Sequence, residues 1–349
     1  MTIATQAKEY LEEQRTKLKP REMVRVVPSR LDVFESLLET PTQPSTIAGA
    51  TALKDTELFG SMLKPTLNLT VAQHYLNCKE PQQLTISENK DITISQDMVG
   101  NRTDTHLLIV VEKGVATNIH LEFDTNTPEG LHDLYIELLV KENAKVNFTT
   151  LQNAPETTSL RVFRAAHVQH GAHLEHHDIL IGAEYQELNS HIYLTEKEAK
   201  GNQTATLFGN KQRFLLTQHS HHLVGETTSD IATKAVLQNK SHAGFKGLVA
   251  IAPGASESEG YQQMDVLLLD DTSRATAIPE LAIQTDIVSC SHGATIGELD
   301  ENQLFYLQAR GLSHREATRL LLIGFLSEGI KHLPEQKQKH ILTQVEQRL

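Results

Sequence analysis

From about residue 67 to about residue 290 the chain calls for no helix of ordinary length. Apolar and polar residues alternate there with a period of two. Ile119, Leu121 and Phe123 alternate with Asn118, His120 and Glu122, and Val146 and Phe148 with Asn147 and Thr149. Successive side chains of an extended chain point to opposite faces, so each run offers one apolar face to a core. Further runs follow at 160–163, 191–194, 204–208, 235–237, 247–251, 266–269 and 282–288. Gly, Asn, Asp and Glu-Lys pairs separate them. The region reads as all-β.

A weak repeat runs through it. Ala116, Ala144, Ala172 and Ala199 each follow a turn, at a spacing of roughly 28 residues, within the range of repeat architectures. A β-helix, a solenoid of stacked short strands, uses small residues at tight corners. It suits this recurrence better than a sandwich, which is the alternative.

Both ends change period. Ala7, Tyr10, Leu11 and Leu18 fall on a helical spacing over 5–18, and Pro20 stops that helix. Shorter helices fit 31–38 and 50–64, with a turn-rich linker at 40–46 between them. At the other end Asp300 is an N-cap with Gln303 at the reciprocal position, and Gly311 is a stop. Ser313 and Glu316 spell a capping box. Ala317, Leu320, Leu321 and Gly324 form one apolar face of the following helix, and Leu322, Phe325 and Leu326 a second. Pro334 opens a last, polar helix. The expected organisation is an N-terminal helical segment (1–64), a β-helix core (65–290) and a C-terminal helical domain (291–349).

Charge and cysteine usage narrow the function. A net charge of −12 over 349 residues argues against a nucleic-acid surface, which depends on Lys and Arg neutralising phosphates. The two cysteines, Cys78 and Cys290, allow one bridge at most, and no apolar run approaches the roughly 20 residues that span a bilayer. A cytoplasmic protein with no membrane partner is expected. Phosphate loops, dinucleotide fingerprints, nucleophile elbows and Cys-x-x-Cys pairs are absent. Two cysteines cannot supply the four thiolates of an ordinary iron–sulfur cluster.

Two histidine groups stand out: His167, His170, His173, His176 and His177, and then His219, His221 and His222. Residues two apart on a strand share a face, so His219 and His221 point the same way. Such a face either binds a transition metal or is simply solvated. A sharper feature is Cys290-Ser291-His292. In an extended segment its thiol and imidazole share a face, about 7 Å apart along the strand. Both are metal ligands, and the thiolate also accepts sulfur. Gly293 removes a side chain beside the histidine, and Gly297 permits an unusual turn.

The run Cys290-Ser291-His292-Gly293-Ala294-Thr295-Ile296-Gly297-Glu298-Leu299-Asp300 continues to Leu304-Phe305-Tyr306-Leu307 and Arg310-Gly311, and Ala277-Ile278-Pro279-Glu280-Leu281 precedes it. This resembles the C-terminal signature of the SufB/SufD family, subunits of the SUF iron–sulfur cluster assembly machinery. The likeness is close over roughly 265–330, looser at Gly247-Leu248-Val249 and Gln262-Gln263, and weak before residue 100. SufB-like chains carry glutamates on both sides of the motif histidine; Ser291 and Gly293 stand there in this sequence, which makes it look SufD-like.

The resemblance implies a right-handed β-helix with helical segments at both ends, and a non-enzymatic subunit of the assembly scaffold. A SufB-like subunit would pair with it through the C-terminal end of the β-helix. A SufC-like ATPase would dock on the C-terminal helices, for which Leu304, Phe305, Leu307, Leu320, Leu321 and Phe325 are the candidate contacts. His292, with Cys290 beside it, would handle iron or the nascent cluster at that interface. No cofactor would be held tightly by this chain alone. The cluster or iron would be shared transiently with SufB, and the complex leaves room for a flavin. The alternatives are a SufB-like cluster scaffold, disfavoured by residues 291 and 293, and a structural β-helix that forms a homodimer. A carbohydrate-active β-helix enzyme would need a clustered set of acidic or basic residues and an export signal, and neither is seen.

Overall fold

Between Gln82 and Gly297 the alternating runs form two sheets of parallel strands that face each other, and the chain crosses from one sheet to the other from strand to strand. The computed structural model describes residues 2–17, 46–54, 56–78, 80–94, 96–97, 100–123, 126–331 and 333–349. One sheet has nine strands, the last a short antiparallel edge at Thr51–Ala52, and the other has eight. The architecture is the expected β-solenoid with helices at both ends.

Stacking is in register from coil to coil. On the nine-stranded sheet Ser159, Tyr185, Arg213, His242 and Arg274 lie in one row, each paired with the next. Leu134, Ile136, Phe148, Leu160, Val162 and Leu207 fill the space between the sheets and are fully or almost fully buried. Ala144, Ala172 and Ala199 sit buried at the corners, as their recurrence predicts. In the coil before them the equivalent residue is Val115. Ala116 is one place further on, paired with Lys145 and exposed, because the strand has already begun.

Three expectations need correction. The run 282–288 is not a strand but spans a turn: one strand ends at Ile283 and the next covers Val288–Gly297. The solenoid therefore continues past residue 290, and the C-terminal helices begin at Glu301. The segment 50–64 holds turns rather than a helix, whereas a helix covers Leu69–Asn77, inside the stretch read as strands. Asn68 caps that helix by accepting the Val71 N–H at 2.9 Å, and Val71, Ala72 and Tyr75 are buried beneath it. The helix expected at 31–38 lies outside the described residues.

The helices cover the outer faces of the sheets. Ile3–Lys17 and Leu69–Asn77 pack over Leu108, Val110, Tyr135, Leu139 and Phe163 of the nine-stranded sheet. Beneath them Glu137 is buried, and its carboxylate accepts from the backbone N–H groups of Gly60 (2.5 Å), Met62 (2.9 Å) and Leu63 (3.1 Å), and from His106 Nε2 (3.0 Å). Burial alone would raise this carboxyl's pKa; the His106 bond and the backbone donors outweigh it and hold the pKa below the usual value. On the other side, His314–Ile330 and Glu335–Glu346 lay Leu322, Leu326, Ile330, Ile341 and Val345 over Ile179, Phe208 and Val236 of the eight-stranded sheet. Gly329 makes that approach close, since a Cβ there would meet Thr206 Oγ1 at 2.3 Å.

Glu137 is thus the joint between the N-terminal cap and the sheet. Replacing it with Leu leaves the three backbone donors and His106 without their acceptor, and is expected to cost about 3–5 kcal/mol. Urea denaturation of the two proteins measures this; a loss below about 1 kcal/mol would contradict the role.

Candidate functional site

The solenoid ends at two edge strands, Arg274–Ile283 on the nine-stranded sheet and Val288–Gly297 on the eight-stranded sheet. Cys290 and His292 lie on the second. Gly260 pairs with Cys290 and Gln262 with His292. Both partners are inward-facing and buried. His292 is thus the end of an inner row that runs His176, Gln203, Ile231, Gln262, His292, and Cys290 ends the row Leu174, Gly201, Ser229, Gly260, Cys290. In earlier coils these positions are covered by the next coil. Among the described residues nothing stacks on the last one, so His292 is exposed and Cys290 half-buried.

The local sequence explains the fit. Cys290 packs at the rim of an apolar cluster of Ile231, Val249, Ile251 and Ala255. Gly260 beneath it admits Val249, whose Cγ1 would stand 2.4 Å from an added Cβ. Gly247 likewise leaves room for Gln262 and Met264 from the facing sheet. Gln262 spans the interior and donates from Nε2 to the Glu280 carbonyl at 2.8 Å, tying the strand Ser258–Leu268, on which His292 stacks, to the edge strand Arg274–Ile283. Gly293 points outward and a Cβ there would meet the Gln263 amide oxygen at 2.2 Å. Gly297 is in open space and its φ is not positive, so the unusual turn expected there is absent.

Burial pushes the Cys290 thiol above its usual pKa, and a backbone hydrogen bond with Gly260 only partly offsets this. At neutral pH the group is a thiol, and a bound metal ion or a cationic neighbour is needed to make it a thiolate ligand. The edge strands and the turn between them also expose apolar side chains: Ile278, Ile283 and Ile296 on the strands and Ile287 in the turn. On a monomer such a cluster beside an unpaired strand is an association surface.

The C-terminal helices separate the candidate docking residues. Glu301–Ala309 buries no residue at all; Phe305 and Tyr306 are exposed, and Leu304 and Leu307 half-exposed. On His314–Ile330, Leu320 faces solvent and Leu321 is intermediate. Phe325 is packed against the solenoid, with Lys234 Nζ 4.6 Å from its ring centre. Asp300 accepts from Asn302 and Gln303 N–H groups, and the Ser313–Glu316 capping box is complete in both directions.

The two histidine groups come apart. In the first, His170 and His173 bond to Lys197 O and Glu175 respectively, and His176 points into the solenoid. In the second, His222 points inward and bonds Thr227 and Ser229, while His219 and His221 lie outward. A pairing not legible in the sequence links His74, Cys78 and His106. There Asp104, His74, His106 and Glu137 form one hydrogen-bonded line that engages all four ring nitrogens, so it leaves no lone pair for a metal. Cys78 is pushed up to about 12, by burial first and then by the Asp104 charge. A trough of about 530 Å³ on the outer face of the nine-stranded sheet, lined by Arg213, Lys246, Arg274 and Ile278 among others, was also not foreseen. Among the described residues no helix is long and apolar enough to cross a membrane.

Both thiols are half-buried, and the larger upward shift of Cys78 places them in an order. An alkylating reagent near neutral pH should modify Cys290 before Cys78, and both rates should keep rising above pH 9, where an ordinary thiol's rate levels off. Peptide mapping across a pH series measures this; prior modification of Cys78 would contradict the geometry.

Residues 93–325 match the family model described as SUF system FeS cluster assembly, SufBD core domain. An iron-sulfur cluster assembly SufBD family protein of Mycobacterium leprae is 34% identical over 207 residues, 59% of this chain and 24% of that one. One of Pyrococcus horikoshii is 31% identical over 234 residues, 66% of this chain and 52% of the other. One of Staphylococcus haemolyticus is 28% identical over 231 residues, 65% and 50% of the two chains. The chain spans about half the length of the last two and a quarter of the first.

Proposed function

The chain belongs to the SufBD family of iron–sulfur cluster assembly proteins, and we propose that it is a SufD-like, non-catalytic subunit whose open solenoid end meets a SufB-like partner. The observation that carries this is the position of Cys290 and His292. They are the last members of two inner rows, turned toward the place where a further coil would stack, and uncovered there. A second solenoid docking on that end would bury Ile278, Ile283 and Ile296 and bring its own side chains to the thiol and imidazole. One thiol and one imidazole are too few to hold iron or a cluster, which takes four ligands in ordinary sites. Ligands shared between two chains complete the set, and the iron or cluster is cargo rather than a resident group.

Ser291 and Gly293 support the SufD-like assignment over a SufB-like scaffold. Neither can act as the carboxylate ligand or base that a glutamate would supply. The exposed helix Glu301–Ala309 supports docking of a SufC-like ATPase. Nine residues with nothing buried gain little from their own packing, and isolated helices of that length are marginal in water. Phe305 and Leu320 are the contacts of choice, and Phe325 contributes by holding its helix on the solenoid. Movement of this helical pair with the nucleotide state of the ATPase would be transmitted to the adjoining strand Val288–Gly297.

The test is a His292→Ala variant in a complex reconstituted with SufB-like and SufC-like subunits. Cluster yield should fall several-fold while the complex still assembles, because His292 is exposed and its loss leaves the solenoid intact. Unchanged yield would overturn the ligand role. Loss of assembly with normal yield per assembled complex would favour the structural alternative.

A further inference from the structure

On the outer face of the nine-stranded sheet, on the third and fourth strands from its open edge, three imidazoles converge. His191 on strand Tyr185–Leu194 is paired in register with His219 on strand Arg213–His222. His221 follows two residues later on the same face, opposite Tyr193. One ring nitrogen from each lies within 4.8 Å of the other two. His191 Nδ1 and His221 Nε2 are 3.1 Å apart, sharing a single hydrogen bond whose proton a metal ion would displace, with no carboxylate of the described residues holding either ring. In a tetrahedral site with metal–nitrogen bonds of about 2.05 Å, two ligand nitrogens stand about 3.3 Å apart. One edge of the tetrahedron is therefore already set, and only His219 has to draw in. Its Nε2 is buried and makes no hydrogen bond with the described residues.

We propose that His191, His219 and His221 form a binding site for a divalent transition-metal ion that prefers nitrogen ligands, of which Zn²⁺ is the type. Three imidazoles with one position left over are the ligand set of an open zinc site. The surroundings suit it. Burial, and then their mutual proximity, hold His191 and His219 well below the usual imidazole range, His219 at about 4; burial alone puts His221 at about 4. All three are thus neutral and able to ligate at pH 7. Tyr193 stacks on both His191 and His221, with interplanar angles of 15° and 10°, and fixes those rings. Lys246, on the next strand, is 3.5 Å from Glu280, which partly offsets its charge near the site. The fourth position is left for water or an exchangeable ligand, so the ion is held without being enclosed.

This proposal stands apart from the role given to Cys290 and His292 and uses none of the same residues. The sequence hinted at half of it through His219 and His221. His191 is 28 residues from His219, and only the coil-to-coil register brings it alongside.

The full-length chain, stripped of metal with chelator, is titrated with Zn²⁺ in competition with a chromophoric chelator, and with Co²⁺ followed by its visible absorption. One equivalent should bind with a tetrahedral Co²⁺ spectrum, and Zn²⁺ should raise the melting temperature. His219→Gln and His221→Gln should each weaken binding at least tenfold and abolish the metal-induced rise, while melting near the metal-free wild type. His292→Ala should bind as the wild type does. Absence of stoichiometric binding by the wild type, or undiminished binding by both glutamine variants, would overturn the proposal. So would loss of the bound equivalent in His292→Ala, which would move the site to the open end.

Discussion

Each coil of a parallel solenoid is buried only because another coil stacks upon it. That dependence runs through the whole molecule. It buries the inner rows where both neighbours are present, as at Leu160 and Val162, and it leaves the last members of those rows uncovered. The backbone is under the same rule. The strand Val288–Gly297 is hydrogen-bonded along one edge, to Ser258–Leu268, and pairs with no other strand of the described residues along the other. Exposed strand edges of this kind pair with something, or are protected against pairing. Val288–Gly297 carries Ile296, a thiol and an imidazole and has no lysine or proline to block it, while the companion edge strand Arg274–Ile283 has one proline, Pro279.

The two capped faces show the contrast. On one, Glu137 gathers backbone donors of the 60–63 turn and a histidine from the sheet beneath, so that the N-terminal helices are locked down by a buried charge with its partners in place. On the other, the helices His314–Ile330 and Glu335–Glu346 bury a continuous apolar seam, and Gly329 lets them settle close to Thr206. The helix Glu301–Ala309 joins the open end to that seam while burying nothing itself. In the proposed complex it would be the mechanical link between a docked ATPase and the strand that bears Cys290 and His292.

Period-two alternation made the long β region legible, and buried alanines at the corners made the solenoid preferable to a sandwich. The caps at Asp300 and Ser313 were legible because capping is a local matter of side chain to backbone within three residues. Other features depend on contacts far apart in sequence. The helix Leu69–Asn77 escaped notice because nine residues give only about two and a half helical turns of pattern, next to the onset of strands. Residues 282–288 read as a strand because the apolar residues of two strand ends run together across a turn. Cys290 and His292 could be seen to share a face, but not that the face is the uncovered end of two inner rows. The convergence of His191 with His219 and His221 likewise follows from register between coils, which no local pattern states.

The account's central claim is that the open end of the solenoid is a surface for another chain, completed only when that chain is present. Amide hydrogen exchange of the strands Arg274–Ile283 and Val288–Gly297 tests this most directly, measured for the chain alone and with a SufB-like partner. The account predicts fast exchange along these edge strands in isolation and strong protection in the complex, with the strands of the middle coils protected in both. Equal exchange of the edge strands in the two samples, with the complex demonstrably formed, would contradict it.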